Sequence, residues 1–330
     1  MNVRILQRFT LLSPLSHVGE TISTTAYLVQ DPIIQPDGRV EEVAVYSGNA
    51  WRGQLRDLMA TYMLAHVGSP TIGLDAFHLL YAGGSIGGPQ TTNLGHARAY
   101  RAAIPMIALL GGGIGNQILP GKLRVSNAYP ACWETEAIVG ALYGPEATEV
   151  ARRTSYTEMT TEKSFSRKDD AKDDRLSGAL RSEAPALAQG QLIPAEPEKP
   201  RRSEEPATQM RMTVELLIAG VTLLSHIDLL GATEVEMGCL VSGYHAFSQS
   251  PHIGGQARMG HGLVRLETSL LDLDTGEIVE PFLSVAGPAA RLSERAEMAK
   301  DAYDQHLRGM YDAMLEASGA DIRRMIGAAA

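Results

Sequence analysis

The sequence is poor in cysteine and in aromatic residues, and it contains no long apolar run. Cys132 and Cys239 are the only cysteines among 330 residues, too few for a disulfide framework or a zinc cluster. A reduced, cytoplasmic protein is therefore expected. No apolar run reaches the length of about 18 residues that spans a bilayer, so no membrane partner is expected. The N-terminal stretch carries arginines among its apolar residues, unlike a secretory signal peptide.

The signatures of nucleotide-hydrolysing and metal-dependent enzymes are also missing. The stretch G-N-Q-I-L-P-G-K-L has Asn116 where a phosphate-binding loop requires glycine, and Leu123 where it requires Ser or Thr. The glycine clusters at 83–88 and 111–116 lack the context of a dinucleotide-binding unit. The histidines show no H-x-x-x-H or H-E-x-x-H spacing. We therefore expect no metal ion and no cofactor.

What the sequence does contain is a globular composition with an uneven charge. Hydrophobic residues make up 44% and charged residues 20%, which excludes a chain disordered throughout and supports a sizeable core. The net charge is −9, yet residues 1–130 hold nine basic against seven acidic side chains. The acidity belongs to residues 131–330, so it does not exclude a basic groove in the first part.

Hydrophobic periodicity predicts strands mixed with helices. Apolar and polar residues alternate in V-R-I-L-Q-R-F-T-L-L, which predicts a strand with Arg4 and Arg8 on its solvent-facing side. The next segment, S-P-L-S-H-V-G-E-T, is typical of a loop. The order of elements favours an α+β domain with one mainly antiparallel sheet. Besides a helix that follows Ser47, the predicted helices cover 96–110, about 230–246, and 293 to about 326.

A small-residue turn that begins a helix is the first candidate phosphate site. In S-G-N-A-W-R-G-Q-L-R, Ser47 and Asn49 precede Arg52 and Arg56. Free backbone N–H groups and the helix dipole make such a helix start an anion site, and arginines strengthen it. An ordinary capped helix with solvated arginines fits the same pattern.

Two later segments allow the same pair of interpretations. In G-K-L-R-V-S-N, Lys122 and Arg124 are two positions apart, so they lie on the same face of the predicted strand. That face contacts either phosphate groups or solvent. In I-G-G-Q-A-R-M-G-H-G, the glycines allow close approach of the backbone, either to a ligand beside Arg258 or within a tight turn. His17 is either a phosphate or ribose ligand or a surface histidine. The candidate residues of the glycine turn are Gly254, Gly255, Gln256, Arg258 and Gly262.

Together and in this order, these segments resemble the RAMP superfamily of CRISPR-associated proteins, in particular the backbone subunit that coats guide RNA. They look most like the type IV backbone subunit, which is itself similar to the type III one. The matching segments span most of the chain. They are the loop S-P-L-S-H-V-G-E-T, V-Q-D-P-I-I, the helix start S-G-N-A-W-R-G-Q-L-R, the strand G-K-L-R-V-S-N-A, and the turn from Gly254 to Gly262.

The resemblance implies an RRM-like (ferredoxin-like) antiparallel palm in a single domain, residues 1–330. A finger-like insertion would cover 68–130, a thumb 155–212, and a C-terminal helix 293–326. The implied partners are CRISPR guide RNA, a target nucleic acid paired to the guide, other copies of the chain in a filament, and other effector subunits. The guide would be held through its phosphates, without sequence specificity.

The resemblance also assigns roles within the thumb stretch T-E-K-S-F-S-R-K and its surroundings. Met159 and Phe165 would act as wedges that kink the guide, while Arg167 and Lys168 would contact phosphates. A charge-rich arm with few large apolar residues suits an element that RNA and a neighbouring subunit would order.

One catalytic candidate also follows from the resemblance. Type III relatives cut target RNA with a loop aspartate, and Asp31 in Q-D-P-I-I lies near the equivalent place. A lone aspartate needs a metal or a well-placed 2′-hydroxyl, and no partner residue for either is evident. Asp31 otherwise fits a turn before Pro32, and Asn127 stands where relatives often carry Asp. We therefore expect a non-catalytic RNA-binding protein; the alternatives are a metal-dependent ribonuclease acting through Asp31 and an RNA-free structural protein.

Overall fold

The computed structural model describes residues 1–84, 94–166 and 211–316. A seven-stranded antiparallel sheet dominates them, with a second, four-stranded sheet and two small hairpins. The strands are β1 (Val3–Leu11), β2 (Val18–Ile22), β3 (Thr25–Leu28), β4 (Gln30–Ile34), β5 (Val40–Ala44), β6 (Gly112–Ile114), β7 (Gln117–Leu119), β8 (Leu123–Val125), β9 (Tyr129–Pro130), β10 (Thr160–Ser166), β11 (Arg211–Leu217), β12 (Thr222–Leu229), β13 (Val264–Asp272), β14 (Ile278–Val285) and β15 (Ala290–Leu292).

Eight α-helices and one short π-helix, His78–Ala82, occur in the same residues. None of these helices combines the length and the apolar character that a bilayer crossing requires. The α-helices are α1 (Gly48–His66), α2 (Leu74–Phe77), α3 (Leu94–Ala103), α4 (Pro105–Leu110), α5 (Glu136–Tyr143), α6 (Pro145–Ala151), α7 (Glu234–Phe247) and α8 (Glu294–Leu315).

β1 lies at the centre of the large sheet, between β12 and β13. The sheet order is β15-β14-β13-β1-β12-β8, and the seventh strand, β9, also pairs with β12. Its residues are alternately buried, as the sequence pattern predicts. Gln7 lies on the buried face, where its amide donates to the Tyr244 hydroxyl over 2.7 Å and accepts from Ser225 Oγ over 2.9 Å. Because this amide is satisfied, a polar side chain is tolerated at the centre of the core.

Helices α1, α7 and α8 pack together on that face of the sheet. Trp51 of α1 is fully buried, with its ring 5.5 Å from that of Phe9 and 5.1 Å from that of Phe247. α7 and α8 approach closely at Gly238, where a Cβ would lie 1.9 Å from the carbonyl oxygen of Ala299. The opposite face of the sheet is partly covered by α5 and α6, which pack on Leu224 of β12.

The second sheet has the order β10-β11-β3-β2, with β11 and β3 parallel. β10 and β11 form an antiparallel ladder from Thr160↔Leu217 to Ser166↔Arg211. They are the two strands at the base of the predicted thumb, and the connecting residues 167–210 lie outside the described residues. Val214 and Leu216 form a small core beneath this sheet.

Two helix predictions can be compared with the structure. The helix predicted at 96–110 is two helices, α3 and α4, because Pro105 lacks the N–H that would continue α3 and instead begins α4. The C-terminal helix begins at the predicted cap, with Ser293 Oγ accepting from the N–H of Ala296. It extends to Leu315, where Glu316 has an extended backbone, and the remainder of the predicted helix, 317–326, lies outside the described residues.

Three strand predictions also differ from the structure. Part of the predicted loop S-P-L-S-H-V-G-E-T is strand β2. The strand predicted for G-K-L-R-V-S-N is limited to Leu123–Val125, and it belongs to the large sheet. β12, a neighbour of the central strand, was not predicted, since its apolar run continues the preceding one across the turn at Gly220.

Candidate nucleic-acid interface

The glycine turn packs directly on the loop that follows β1. The N–H of Gly255 donates to the carbonyl of Ser16 over 2.7 Å, and the N–H of Gly262 donates to that of Pro14 over 2.8 Å. Gly254 has φ +72°, and a Cβ there would lie 2.4 Å from the Ser16 oxygen. The close approach that glycine permits is therefore made first to this chain's own backbone.

The start of α1 joins the same surface. Ser47 is the N-cap, as predicted, and its Oγ accepts from the N–H of Ala50 over 3.2 Å. The N–H of Ser47 donates to Nε2 of His17 over 3.2 Å. One turn further along, the Gln54 amide donates to the carbonyl of His252 over 2.7 Å. The helix start, the loop after β1 and the glycine turn thus form one continuous surface, although they are far apart in sequence.

His17 is held in a defined protonation state. Burial lowers its pKa, and Nε2 accepts the Ser47 N–H, so the neutral ring carries its proton on Nδ1. The ring stands edge-on against that of Tyr46, with centroids 5.0 Å apart. His17 is therefore a structural link in this surface.

Several polar atoms at this junction are buried and have no partner in the described part of the chain. They are Ser16 Oγ, Gln256 Oε1 and His261 Nδ1. Gln256 also adopts a left-handed backbone, φ +59°, which is uncommon for a residue other than glycine. Unsatisfied polar groups and local strain concentrate at functional sites.

Two side chains of this surface project into solvent. Arg258 and Asn49 are exposed. Arg258 forms no ion pair among residues 1–84, 94–166 and 211–316. A guanidinium and an amide beside a helix N-terminus can hold a phosphodiester, because each supplies N–H donors. Both side chains are therefore accessible to a ligand.

Arg52 and Arg56 make hydrogen bonds within the fold. Both guanidinium groups donate to the carbonyl of Leu110 at the C-terminus of α4, and Arg56 also reaches that of Gly111 over 3.2 Å. Arg56 is only 7% exposed, and burial lowers its pKa. The two arginines attach the glycine-rich segment around Gly111 to α1, where their charges offset the helix dipole of α4.

Lys122 is also engaged within the fold. Its ammonium lies 2.8 and 2.7 Å from the two carboxylate oxygens of Glu236. Glu236 in turn completes the capping box of α7, since its Oε2 accepts from the N–H of Thr233 over 2.8 Å. Arg124 is exposed in β8, opposite Asp228 in the register of the sheet. Only Arg124 of this pair is therefore available to a phosphate.

The predicted thumb residues fall into three groups. Met159 is buried in the main core. Phe165 is half-buried on the small core beneath β11. Arg167 and Lys168 lie outside the described residues.

Asp31 lies in strand β4 and not in a turn, paired in register with Val43. One of its carboxylate oxygens, Oδ2, accepts from Asn127 Nδ2 over 2.7 Å and from the Tyr129 hydroxyl over 3.0 Å. Burial, followed by the hydrogen bond to Asp31, raises the pKa of Tyr129. Among residues 1–84, 94–166 and 211–316, no group of three His, Cys, Asp or Glu side chains is placed to hold a metal ion.

Sequence reasoning missed two residues that organise the site. Glu236 had a readable signal, because T-E-V-E before an apolar run is a capping box. Asn127 had no local signal for its role. Its Oδ1 accepts from the N–H of Gly48 while its amide donates to Asp31, so it joins α1 to β4 across long sequence distances.

A comparison with solved structures identifies a shared fold. A chain of a Type IV-B CRISPR complex matches with a TM-score of 0.51 and 19% identity, covering 80% of this chain and 90% of that one. Thermofilum pendens Csc2 matches with a TM-score of 0.38 and 12% identity, over 95% of this chain and 76% of that one. No protein-family model and no curated protein matches the sequence. The mixed α+β fold with antiparallel sheets that the resemblance implies is confirmed.

Proposed function

We propose that this protein is a backbone subunit of a CRISPR effector complex of the type IV kind, which assembles along guide RNA. The observation that carries the proposal is the junction of the loop after β1, the α1 N-terminus and the glycine turn. These are three of the segments on which the family resemblance rests, and they lie side by side. The fold shared with a chain of a Type IV-B CRISPR complex supports the same conclusion.

In this proposal the palm is RRM-like. Four strands of the large sheet, in the order β13-β1-β12-β8, and the helices α1 and α7 on one face make up its core. Guide RNA lies along the junction, with Arg258 on a phosphate and Asn49 beside it. The complex acts in the cytoplasm, and the guide pairs with its target while further copies and other subunits complete the particle.

The subunit binds RNA without cutting it. Asp31 accepts two hydrogen bonds from neighbouring side chains, which is the environment of a structural carboxylate. A ribonuclease acting through Asp31 remains the enzymatic alternative.

The direct test replaces an exposed arginine by glutamate and measures the affinity of the variant for RNA. Arg258→Glu in the full chain is compared with Arg308→Glu, a matched change at an exposed position of α8. Fluorescence anisotropy with labelled single-stranded RNA at two salt concentrations should show about tenfold weaker binding and a shallower salt slope for Arg258→Glu alone. Equal affinities for the two variants would contradict the proposed RNA path.

Assembly provides a second readout. Purified protein should carry RNA, with a high A260/A280 ratio and helical or ring-like particles that collapse on ribonuclease treatment. A monomer free of nucleic acid that ignores added RNA at low salt would support the RNA-free structural alternative. Arg258 and Arg124 are the positions to reverse for this test, since Arg52 and Lys122 hold the fold itself.

A further inference from the structure

A pocket of about 570 Å³ lies between β4 and the segment that begins α5, on the side of the large sheet away from α7 and α8. Its walls include Pro32, Ile34 and Trp133. Ile34 is 77% exposed and Trp133 is 58% exposed. Large apolar side chains grouped around a concavity mark a binding site more often than isolated exposed ones do.

The charge of the pocket is negative. Asp31, Glu134 and Glu136 line it, and no lysine or arginine does. Burial opposes ionisation of Glu134, but hydrogen bonds from Ser155 and the N–H of Tyr156 hold its pKa below the usual value. Arg152, from outside the lining, pairs with Glu136. These carboxylates repel a phosphodiester chain and favour a basic segment that also carries apolar side chains.

The chain contains one such segment beyond α8. The residues I-R-R-M-I at 322–326 place two arginines between apolar side chains. α8 ends at Leu315 on the face of the sheet that carries α7, opposite the face that carries α5. The seven residues from there to residue 322 span at most about 25 Å when extended. A contact between copies therefore suits the geometry better than one within a single copy.

We propose that residues 322–326 of one copy occupy this pocket on the next copy. The arginines would face the carboxylates, and Met325 or an isoleucine would pack on Trp133 and Ile34. The contact joins two different surfaces, so it can repeat from copy to copy. It rests on the proposed function insofar as that function requires copies arranged in a row.

The fluorescence of Trp133 can report whether the pocket is occupied. The chain has two tryptophans, and the other, Trp51, is fully buried. The test uses the full-length Arg323→Glu/Arg324→Glu chain, whose own segment no longer matches the pocket, and titrates a synthetic peptide with the sequence of residues 317–330. Tryptophan emission should shift to the blue and resist acrylamide quenching as the peptide binds. A peptide carrying the same two Glu substitutions should produce neither change.

A matched pair of pocket variants locates the binding site. Ile34→Lys places a like charge against the arginines and should weaken peptide binding about tenfold or more. Ile278→Lys, the same change at an exposed isoleucine of β14 outside the pocket, should leave affinity within about twofold. Absence of peptide binding, or equal binding by both lysine variants, overturns the proposal. The peptide titration contains no RNA. A negative result in it therefore does not contradict the RNA-binding proposal, and equal RNA affinities in the Arg258→Glu experiment would not contradict the peptide contact.

Discussion

Asn127 donates its side-chain amide to Asp31 over 2.7 Å and accepts the N–H of Gly48 over 2.8 Å. One amide thus ties the first turn of α1 to the hairpin of β4 and β5. Asp31, the candidate nuclease residue of the alternative function, and Gly48, the first residue of α1, are held by the same side chain.

Asp31→Ala should destabilise the protein by roughly 1–3 kcal/mol, because it leaves Asn127 and the Tyr129 hydroxyl without their acceptor. Asp31→Asn should cost less. Urea unfolding of both variants measures this, alongside cleavage of a labelled target RNA. A stable Asp31→Ala variant that loses a measurable cleavage activity would instead identify Asp31 as catalytic.

Arg56→Met should loosen the glycine-rich segment around Gly111, since the carbonyls of Leu110 and Gly111 lose a buried donor. We expect a loss of roughly 1–3 kcal/mol in the free energy of unfolding. Limited proteolysis should cut this segment sooner in the variant. Arg308→Met, at an exposed position, is the control and should match the parent chain; similar proteolysis of both variants would argue against this attachment.

Lys122→Met should lower stability and leave RNA affinity unchanged, because its ammonium is paired with Glu236. A double-mutant cycle with Glu236→Gln should give a coupling energy of roughly 1 kcal/mol. Anisotropy with labelled RNA is the second measurement. Weaker RNA binding without loss of stability would restore Lys122 as a phosphate contact.

Mild acid should destabilise the fold. Burial lowers the pKa values of His17, His226 and His245, so the native chain binds fewer protons than the unfolded chain, whose histidines titrate near 6.5. Their contribution is complete above that pH and is lost as the pH falls below it. Chemical unfolding at about pH 7.5 and about pH 5.5 measures the difference. His17→Gln, which keeps an acceptor for Ser47, should reduce it, and identical stability at both pH values would refute this explanation.

Gly238→Ala should be among the most damaging small substitutions, because its Cβ would lie 1.9 Å from the Ala299 carbonyl and push α8 off α7. A loss of roughly 2–3 kcal/mol is expected. Gly53→Ala makes the same change on the exposed side of α1, where nothing lies within 4 Å, and should stabilise by about 0.5–1 kcal/mol. Thermal unfolding of the two variants should therefore shift in opposite directions.

The features that depend on only a few neighbouring residues were predicted correctly from the sequence. The cap of α1 at Ser47, the alternation of β1 and the cap of α8 at Ser293 are each determined within a few residues, and all three are confirmed. The class of fold followed from the order of such elements.

The roles of the basic residues could not be predicted in the same way. Arg56 and Lys122 carry the residue types of phosphate ligands, but their partners lie 55 and 114 positions further along the chain. Whether a cation faces solvent or a buried carbonyl depends on tertiary packing, which periodicity does not encode. Arg258 is exposed because a turn at the surface leaves few partners within reach.

The position of β1 has a consequence for biosynthesis. β1 leaves the ribosome before its two partners, β12 and β13, whose residues follow more than 200 positions later. At typical rates of translation, the apolar face of β1 remains unpaired for roughly ten seconds or more before β12 or β13 is synthesised. Nascent chains should therefore depend on chaperones that shield this segment, and slower elongation late in the message would prolong that exposure.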